Sequence, residues 1–164
     1  MDPLWNILEE NMKQLAESSN AGWHPDETRL ELFSLPQSHY IVAVSRVADD
    51  NAGIVEQPIA FIQFRFLVEN EEIVCYMYEL QSSREYRRCG IGRALHSILE
   101  QLCRHVKVKK IMLTVFLSNI TALSFYYSLN YQRDPFSPLY VDEEESEDEE
   151  IDCDYDILSF IVPD

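Results

Sequence analysis

The chain has 164 residues, of which 46% are hydrophobic and 12% aromatic, so its length and composition are those of one folded domain. Its 29 acidic residues outnumber 13 basic ones, which gives a formal net charge of -16. Duplex nucleic acid is a polyanion whose binding proteins supply cations, so direct nucleic-acid binding is not expected. We expect a single domain over residues 1–164.

No stretch approaches the roughly 18 apolar residues that a membrane-spanning helix requires, and residues 1–20 lack the pattern of a signal peptide. The four cysteines form no CxxC pair and have no histidine at ligand spacing. We therefore expect no membrane anchor, no metal site, and reduced thiols in an intracellular compartment.

Many of the acidic residues lie near the end of the sequence. Between Asp142 and Asp156 the chain carries eleven carboxylates and no basic residue. Such a block is typical of a solvated, disordered segment, but it also suits the docking of a cationic partner. Both interpretations are open from the sequence, and we call residues 141–154 the acidic loop.

The first third of the chain predicts two helices and a strand. Asp2 and Pro3 suit the start of a helix, and apolar residues then recur at helical spacing for about four turns. A shorter helix is expected over residues 23–33. A β-branched run predicts a strand over residues 39–47, closed by a turn at 49–53.

The remaining segments show either β-branched runs of strand length or helical apolar periodicity. They are expected as strands over 59–68, 73–81, 110–116, from 131 onward and 155–162, and as helices over 90–105 and 119–129. The order α-α-β-β-β-α-β-α-β-β predicts an α/β or α+β fold, a sheet with helices packed on it.

The first chemical signal is the pattern Arg-x-x-Gly-x-Gly at residues 87–92, which we call the glycine loop. Gly90 and Gly92 allow a ligand to approach the backbone closely, and the N–H groups at a helix start suit a phosphate. The pattern lacks the lysine of a P-loop and the third glycine of a dinucleotide fingerprint. Taken alone, it also fits a glycine-started helix with solvated arginines.

Together with Asn119, Ala122, Phe125 and Tyr126 on the following helix, this loop resembles the GNAT superfamily of N-acetyltransferases. The resemblance implies a mixed central sheet with a splayed pair of strands, and acetyl-CoA as the acetyl donor. Asn130 stands where the superfamily usually has a C-cap glycine. The cofactor contacts that the resemblance implies are Leu80, Gln81, Ser82, Arg87, Arg88, Cys89, Gly90, Ile91, Gly92, Arg93 and Asn119.

A narrower resemblance, from residue 11 to residue 159, is to the N-terminal acetyltransferase D branch (NatD), which acetylates histone four and histone two-A. The segments that carry it are residues 64–66, 76–81, 87–88, 112–116 and 155–159. It implies transfer of acetyl to the N-terminal serine amine of a Ser-Gly-Arg-Gly start. Basic histone tails are the partners that it implies.

The resemblance assigns catalysis to Glu79 and Tyr76. A carboxylate within an apolar strand suits a general base, because burial raises its pKa. The alternative is a strand-end carboxylate paired with Arg84 or Arg87. By strand alternation Tyr76 and Tyr78 lie opposite Glu79, so all three meet one substrate only if the strand bulges or splays.

The same resemblance places five side chains on the substrate peptide: Glu69, Tyr78, Thr114, Ser137 and Tyr155. The tyrosines also fit the role of ordinary strand aromatics. Glu69 and the acidic loop supply charge opposite to that of a basic tail. Tyr126 occupies the superfamily's thiolate-protonating position, but we expect it to be a core aromatic.

The chain departs from the branch pattern on the peptide side. By spacing, Ala16 and Ala21 stand where the branch has aromatic residues before the Gly-Trp pair at residues 22–23. Leu67 stands where the branch has an acidic residue. These differences remove peptide contacts that the resemblance would otherwise imply.

The resemblance therefore implies a monomeric enzyme of the cytoplasm and nucleus that acetylates N-terminal amines. Two other functions are open. One is acetylation of lysine side chains or polyamines, and a lysine amine is more basic than an N-terminal one. The other is a non-catalytic acidic module that binds histones, although such a module needs neither Glu79 nor an intact glycine loop.

Replacing the eight carboxylates of residues 142–150 with amides tests the acidic loop. If the loop steers basic peptides, KM for a peptide beginning Ser-Gly-Arg-Gly-Lys rises and its salt dependence flattens, because long-range attraction is screened by ions. Steady-state kinetics at two ionic strengths measures both effects. An unchanged KM would identify the loop as a solvated segment without a docking role.

Overall fold

The computed structural model describes residues 3–49, 53–140 and 153–163, and these form four α-helices and six strands. The helices are α1 (Pro3–Glu17), α2 (Pro25–Phe33), α3 (Ile91–His105) and α4 (Ile120–Tyr127). The strands are β1 (His39–Asp49), β2 (Gly53–Glu69), β3 (Glu72–Ser82), β4 (Lys110–Phe116), β5 (Gln132–Arg133) and β6 (Tyr155–Ile161). A short 3-10 helix, Arg84–Tyr86, precedes the glycine loop.

The strands make one mixed sheet in the spatial order β1-β2-β3-β4-β6-β5. Neighbouring strands are antiparallel except β3 and β4, which are parallel. The predicted fold class and element order are confirmed. Within the described ranges, no helix combines the length and the apolar composition needed to cross a bilayer.

Two elements begin two or more residues away from their predicted starts. β2 begins at Gly53 rather than at residue 59, because its first residues continue the ladder with β1, where Ala48 pairs with Ile54. α2 begins at Pro25, two residues later than predicted. Proline suits the first position of a helix, where the missing N–H would have no intrahelical partner.

The predicted strand after residue 131 is short. β5 has two residues and joins β6 through the pair Gln132 and Ser159. Asp2, residues 50–52 and residues 141–152 lie outside the described residues. The predicted helix cap, the tip of the first turn and most of the acidic loop therefore receive no structural description.

The sheet has a hydrophobic core on each face. On the back face, which carries α3 and α4, Leu95 and Leu99 of α3 pack with the sheet residues of the larger core. On the front face, Trp5 of α1 and Leu32 of α2 pack on Phe61 of β2. α1 packs mainly over β2 and β3, so the front-face helices cover that side of the sheet.

Asparagine or glutamate, instead of glycine, occupies three left-handed backbone positions. Asn70 and Glu71 have φ values of 47° and 67° and form the two-residue turn between β2 and β3. Asn130 has a φ of 66°, so its predicted left-handed role after α4 is confirmed.

Glu71→Gly is expected to stabilise the fold by about 0.5–1 kcal/mol, because glycine adopts a positive φ without the steric cost of a β-carbon. Glu72→Gly, at the first residue of β3, is the matched control and is expected to destabilise, since glycine weakens a strand. Thermal unfolding of the two variants measures the difference. Destabilisation by both would contradict the strain assigned to Glu71.

Candidate active site

One extra residue in β3 brings the predicted catalytic side chains onto the same face of the sheet. The ladder pairs Phe64 with Met77 and then Gln63 with Glu79, so Tyr78 is inserted as a bulge. A one-residue insertion reverses the alternation of side chains beyond it. Glu79 therefore lies on the front face with Tyr76 and Tyr78, and the bulge that this arrangement required is present.

Glu79 lies in a poorly solvated environment. Burial is the largest influence and raises the pKa of its carboxyl to about 7, with a smaller upward contribution from the charge of Glu31 on α2. A hydrogen bond from Gln81 Nε2 to Glu79 Oε2, 2.6 Å long, acts in the opposite direction. A carboxyl with this pKa exchanges a proton readily at neutral pH, as a general base must.

The structure does not support the alternative role of Glu79 as an arginine-paired strand end. Arg84 Nε lies 3.2 Å from Glu10 Oε1 on α1, and Arg87 Nη2 donates to Asn11 Oδ1 on the same helix. The hydrogen-bond partner of Glu79 is the neutral amide of Gln81.

Tyr76 is at the centre of the predicted peptide contacts. Its hydroxyl shares a hydrogen bond with Thr114 Oγ1 of β4. Burial raises the pKa of Tyr76, the Thr114 bond lowers it, and the nearby Tyr78, Glu69 and Tyr155 raise it further. Four of the five predicted peptide residues are therefore gathered around Tyr76.

Tyr78 has a cationic neighbour that the sequence analysis missed. The guanidinium of Arg65 on β2 lies 4.2 Å from the centre of the Tyr78 ring. Arg65 is buried, donates to Ser38 Oγ at 3.2 Å and also donates to the backbone carbonyl of Glu31. Arg65 belongs to the 64–66 segment that carries the narrower resemblance, but no sequence signal indicates its contact with Tyr78.

A cleft of about 180 Å³ lies beside Tyr76 and extends the candidate peptide side. Met112, its partner in the β3–β4 ladder, lines the cleft. The other lining residues include Glu69, Glu72 and Phe136. Lys110 also lines the cleft, but its ammonium is paired with buried Asp134 at 2.6 Å, so Glu69 and Glu72 leave this side of the site with a net negative charge.

Ser137 has a different environment from the other predicted peptide residues. It is buried, and its hydroxyl donates to Asp156 Oδ1 at 2.7 Å. Ser137 Oγ also accepts a hydrogen bond from the backbone N–H of Leu139 at 3.2 Å. Ser137 therefore holds the segment after β5 against β6. Its hydroxyl is not among the described groups that gather around Tyr76.

β3 and β4 separate immediately beyond Tyr76. Their ladder has only two pairs, Cys75 with Ile111 and Tyr76 with Met112, although both strands continue. The separation leaves a wedge between the strands with backbone groups of both edges facing it. Glu79 lies on β3 within the separated stretch, three residues past the last pair.

The glycine loop closes the far end of this wedge. Gly90 has a φ of 83°, is the N-cap of α3, and a β-carbon there would meet no other atom within 4 Å. At Gly92 a β-carbon would come within 3.3 Å of Phe125 Cζ and 3.5 Å of Leu80 Cδ2. Gly90 thus gives an open turn, and Gly92 lets α3 pack closely on α4 and β3.

The other predicted cofactor residues differ in their exposure and in their contacts within the protein. Arg88 and Cys89 lie exposed in the loop, and Arg93 donates to Ser128 Oγ at 3.1 Å. Asn119 Oδ1 accepts from the N–H of Ala122 and caps α4. Further predicted cofactor residues also make packing or hydrogen-bond contacts within the protein: Leu80, Gln81, Ser82, Arg87 and Ile91.

Tyr126 is a core aromatic, as expected. It is 8% exposed and lies in the back-face core beside Phe125 and Tyr131. Burial and the charge of Glu79 raise its pKa. The phenol therefore stays protonated at neutral pH.

The splayed sheet and glycine loop define an acyltransferase fold, and comparison with known proteins identifies its family. Residues 4–131 match the model of the acetyltransferase (GNAT) family, so the chain belongs to that family. The predicted superfamily is therefore confirmed, and the protein is an acetyltransferase.

Three solved structures are similar in fold. The ribosomal-protein-S18-alanine N-acetyltransferase from Escherichia coli is 17% identical, with 98% of this chain and 86% of that chain covered and a TM-score of 0.59. Arabidopsis thaliana NAA60 in complex with a bisubstrate analogue is 16% identical, with 96% and 95% covered and a TM-score of 0.63. The NatC complex bound to Gag peptide and CoA is 18% identical, with 99% and 93% covered and a TM-score of 0.61.

Acetyl-CoA is the acetyl donor of this protein, and the residues present fit it. The wedge between β3 and β4 offers backbone groups to an extended pantetheine arm. The open turn at Gly90, with Arg87, Arg88 and Arg93 around the start of α3, suits the phosphates.

Glu79→Gln is expected to stabilise the protein at pH 8 and not at pH 4. The raised pKa means that the folded state holds the Glu79 proton more tightly than the unfolded state. The wild type therefore loses stability as the pH rises from the ordinary pKa of 4.5 to about 7. The variant avoids that loss, which is up to about 3 kcal/mol.

Chemical denaturation across this pH range measures the difference, with the exposed Glu85→Gln as the control carboxylate. A Glu79→Gln difference that stays constant from pH 4 to pH 8 would mean that the Glu79 pKa is not raised.

Proposed function

We propose that this protein is an N-terminal acetyltransferase of the NatD type. It transfers acetyl from acetyl-CoA to the serine α-amine of histone four and histone two-A, whose sequences begin Ser-Gly-Arg-Gly. The observation that carries the proposal is the β3 bulge, which brings Glu79, with a pKa of about 7, to the face of Tyr76 and Tyr78 where β3 leaves β4.

Glu79 acts as the general base. An N-terminal amine has a pKa near ~8 and is mostly protonated at neutral pH, so it must lose a proton before or during attack. Acetyl-CoA supplies an activated thioester. The nitrogen forms a bond to the acetyl carbon as the bond from that carbon to sulfur breaks, and the nitrogen's proton passes to Glu79, directly or through a water molecule.

Tyr76 orients the amine. Its raised pKa keeps the hydroxyl protonated at neutral pH, so it both donates and accepts hydrogen bonds. Thr114 fixes the position of that hydroxyl from the neighbouring strand. Tyr78 lies next to Tyr76, with 5.1 Å between ring centres, and forms the wall of the site toward α1 and α2.

The charges of the site support a cationic peptide as the acceptor. Glu69 and Glu72 line the cleft beside Tyr76, and Tyr155 lies on the same side. The carboxylates suit a guanidinium group, whereas Phe136 beside them already faces the ammonium of Lys110, 5.8 Å from its ring centre. Histone substrates place the enzyme in the cytoplasm and nucleus, where it works as a monomer and without direct nucleic-acid contact.

The decisive assay measures acetyl transfer to two peptides that begin Ser-Gly-Arg-Gly-Lys, one with a free and one with a blocked α-amine. We expect turnover of the free amine alone. Glu79→Gln should lower kcat by about 10²–10⁴-fold, the usual contribution of a general base, while CoA binding is retained. The exposed Glu85→Gln variant is the control and should keep wild-type kcat.

Equal turnover of both peptides would assign the activity to lysine side chains. Turnover of polyamines in preference to either peptide would assign it to small amines. An unchanged kcat in Glu79→Gln would remove Glu79 from the mechanism.

A further inference from the structure

A continuous chain of side-chain hydrogen bonds connects the glycine loop to Glu79. Arg87 Nη2 donates to Asn11 Oδ1, and Asn11 Nδ2 donates to Gln81 Oε1 at 3.0 Å. Gln81 Nε2 then donates to Glu79 Oε2 at 2.6 Å. The chain therefore begins at a permanent cation and ends at the carboxylate of the base.

The orientation of both amides in this chain is fixed by chemistry. Arg87 has only donors, so the atom of Asn11 facing it is the oxygen. The amide nitrogen of Asn11 is held by a second bond, 2.9 Å long, to the carbonyl of Ser82. Because Asn11 donates to the oxygen of Gln81, the amide nitrogen of Gln81 faces Glu79. All dipoles thus point the same way and favour the ionised carboxylate.

We propose that Asn11 is a positioning residue of this acetyltransferase. Together with Gln81, Asn11 couples Arg87 of the glycine loop to Glu79, so that cofactor binding changes the proton affinity of Glu79. The proposal rests on the proposed role of Glu79. With no cofactor bound, the charge of Arg87 is transmitted through the two amides and stabilises the Glu79 anion. When the phosphates of CoA engage Arg87, that stabilisation weakens and the carboxylate binds a proton more tightly.

The consequence is a base that becomes stronger when the donor site is filled. Coupling of this kind is reciprocal, so protonation of Glu79 also strengthens cofactor binding. The chain joins the glycine loop, α1 and β3, and Asn11 precedes Gln81 by 70 residues, so these two side chains meet only in the folded protein.

Other groups around Glu79 do not connect it to the glycine loop through bonds among the described residues. Glu31 on α2 adds a negative charge that raises the Glu79 pKa, and Arg65 on β2 lies near Glu31. Tyr126 on α4 is neutral at neutral pH, and its own pKa is raised by Glu79. Gln63, the cross-strand partner of Glu79 on β2, is uncharged.

The test is a carbon-13 NMR titration of the Glu79 side-chain carboxyl, with and without saturating CoA. In the wild type we expect CoA to raise the Glu79 pKa by roughly half a unit, about a three-fold change in proton affinity. In Asn11→Leu the pKa without CoA should already be raised, and most of the response to CoA should be lost. Asn6→Ala, on the exposed side of α1, is the matched control and should respond like the wild type.

A second pair of variants keeps the test valid if Asn11→Leu does not fold. Arg87→Met removes the exposed end of the hydrogen-bond chain and should abolish the response of the Glu79 pKa to CoA. Arg88 is the neighbouring exposed arginine outside this hydrogen-bond chain, so Arg88→Met should weaken CoA binding but retain the pKa response once CoA is saturating. The proposal would be overturned if CoA left the wild-type Glu79 pKa unchanged. It would also be overturned if the response of that pKa to CoA were unaltered in Asn11→Leu or Arg87→Met. The titration uses no peptide, so its result is independent of whether α-amines are the acceptors.

Discussion

The site depends on a single backbone irregularity in β3, the insertion of Tyr78 into its ladder with β2. A regular strand would direct Glu79 to the back face, into the core formed with α3 and α4. Bulges also increase strand twist and bend the strand. The parallel ladder with β4 ends at Tyr76, two residues before the bulge. The irregularity is therefore accompanied by both a front-facing Glu79, the proposed base, and a wedge for the donor.

The surroundings of Glu79, the proposed general base, lower the stability of the fold. Glu79 is flanked by the neutral amide of Gln81 and the like charge of Glu31, and among the residues that the structure describes no arginine contacts it directly. A carboxylate with a direct cationic partner would be better stabilised but would have a lower pKa and would be a weaker base. Burial keeps the Glu79 pKa raised in spite of the hydrogen bond from Gln81.

The two ends of the site carry opposite charge. The donor end has the arginines of the glycine loop and the first turn of α3, whereas the acceptor end has Glu69 and Glu72 beside the cleft. An anionic donor and the cationic acceptor that we propose are therefore each attracted to their own end. The hydrogen bonds through Asn11 link the donor end to Glu79, the proposed base, which lies between them.

Local sequence determined much of this protein. Apolar periodicity predicted the helices and strands. The glycine loop was predicted because two glycines at a helix start let a ligand approach the backbone closely, and Asn130 because asparagine suits a left-handed C-cap. The first residues of elements were predicted less accurately, as at β2, because a ladder extends for as long as its partner strand continues.

The tertiary structure alone decided which side chains meet. The bulge at Tyr78 is set by the register between β2 and β3, and alternation within β3 predicts the opposite face for Glu79. Arg65 under Tyr78, Ser137 on Asp156 and Asn11 on Gln81 join residues that are distant in the chain. The sequence determined the residue types and local elements by itself, because these depend on neighbouring residues. The contacts of the site depend on how those elements pack, and so only the folded sheet and helices decided them.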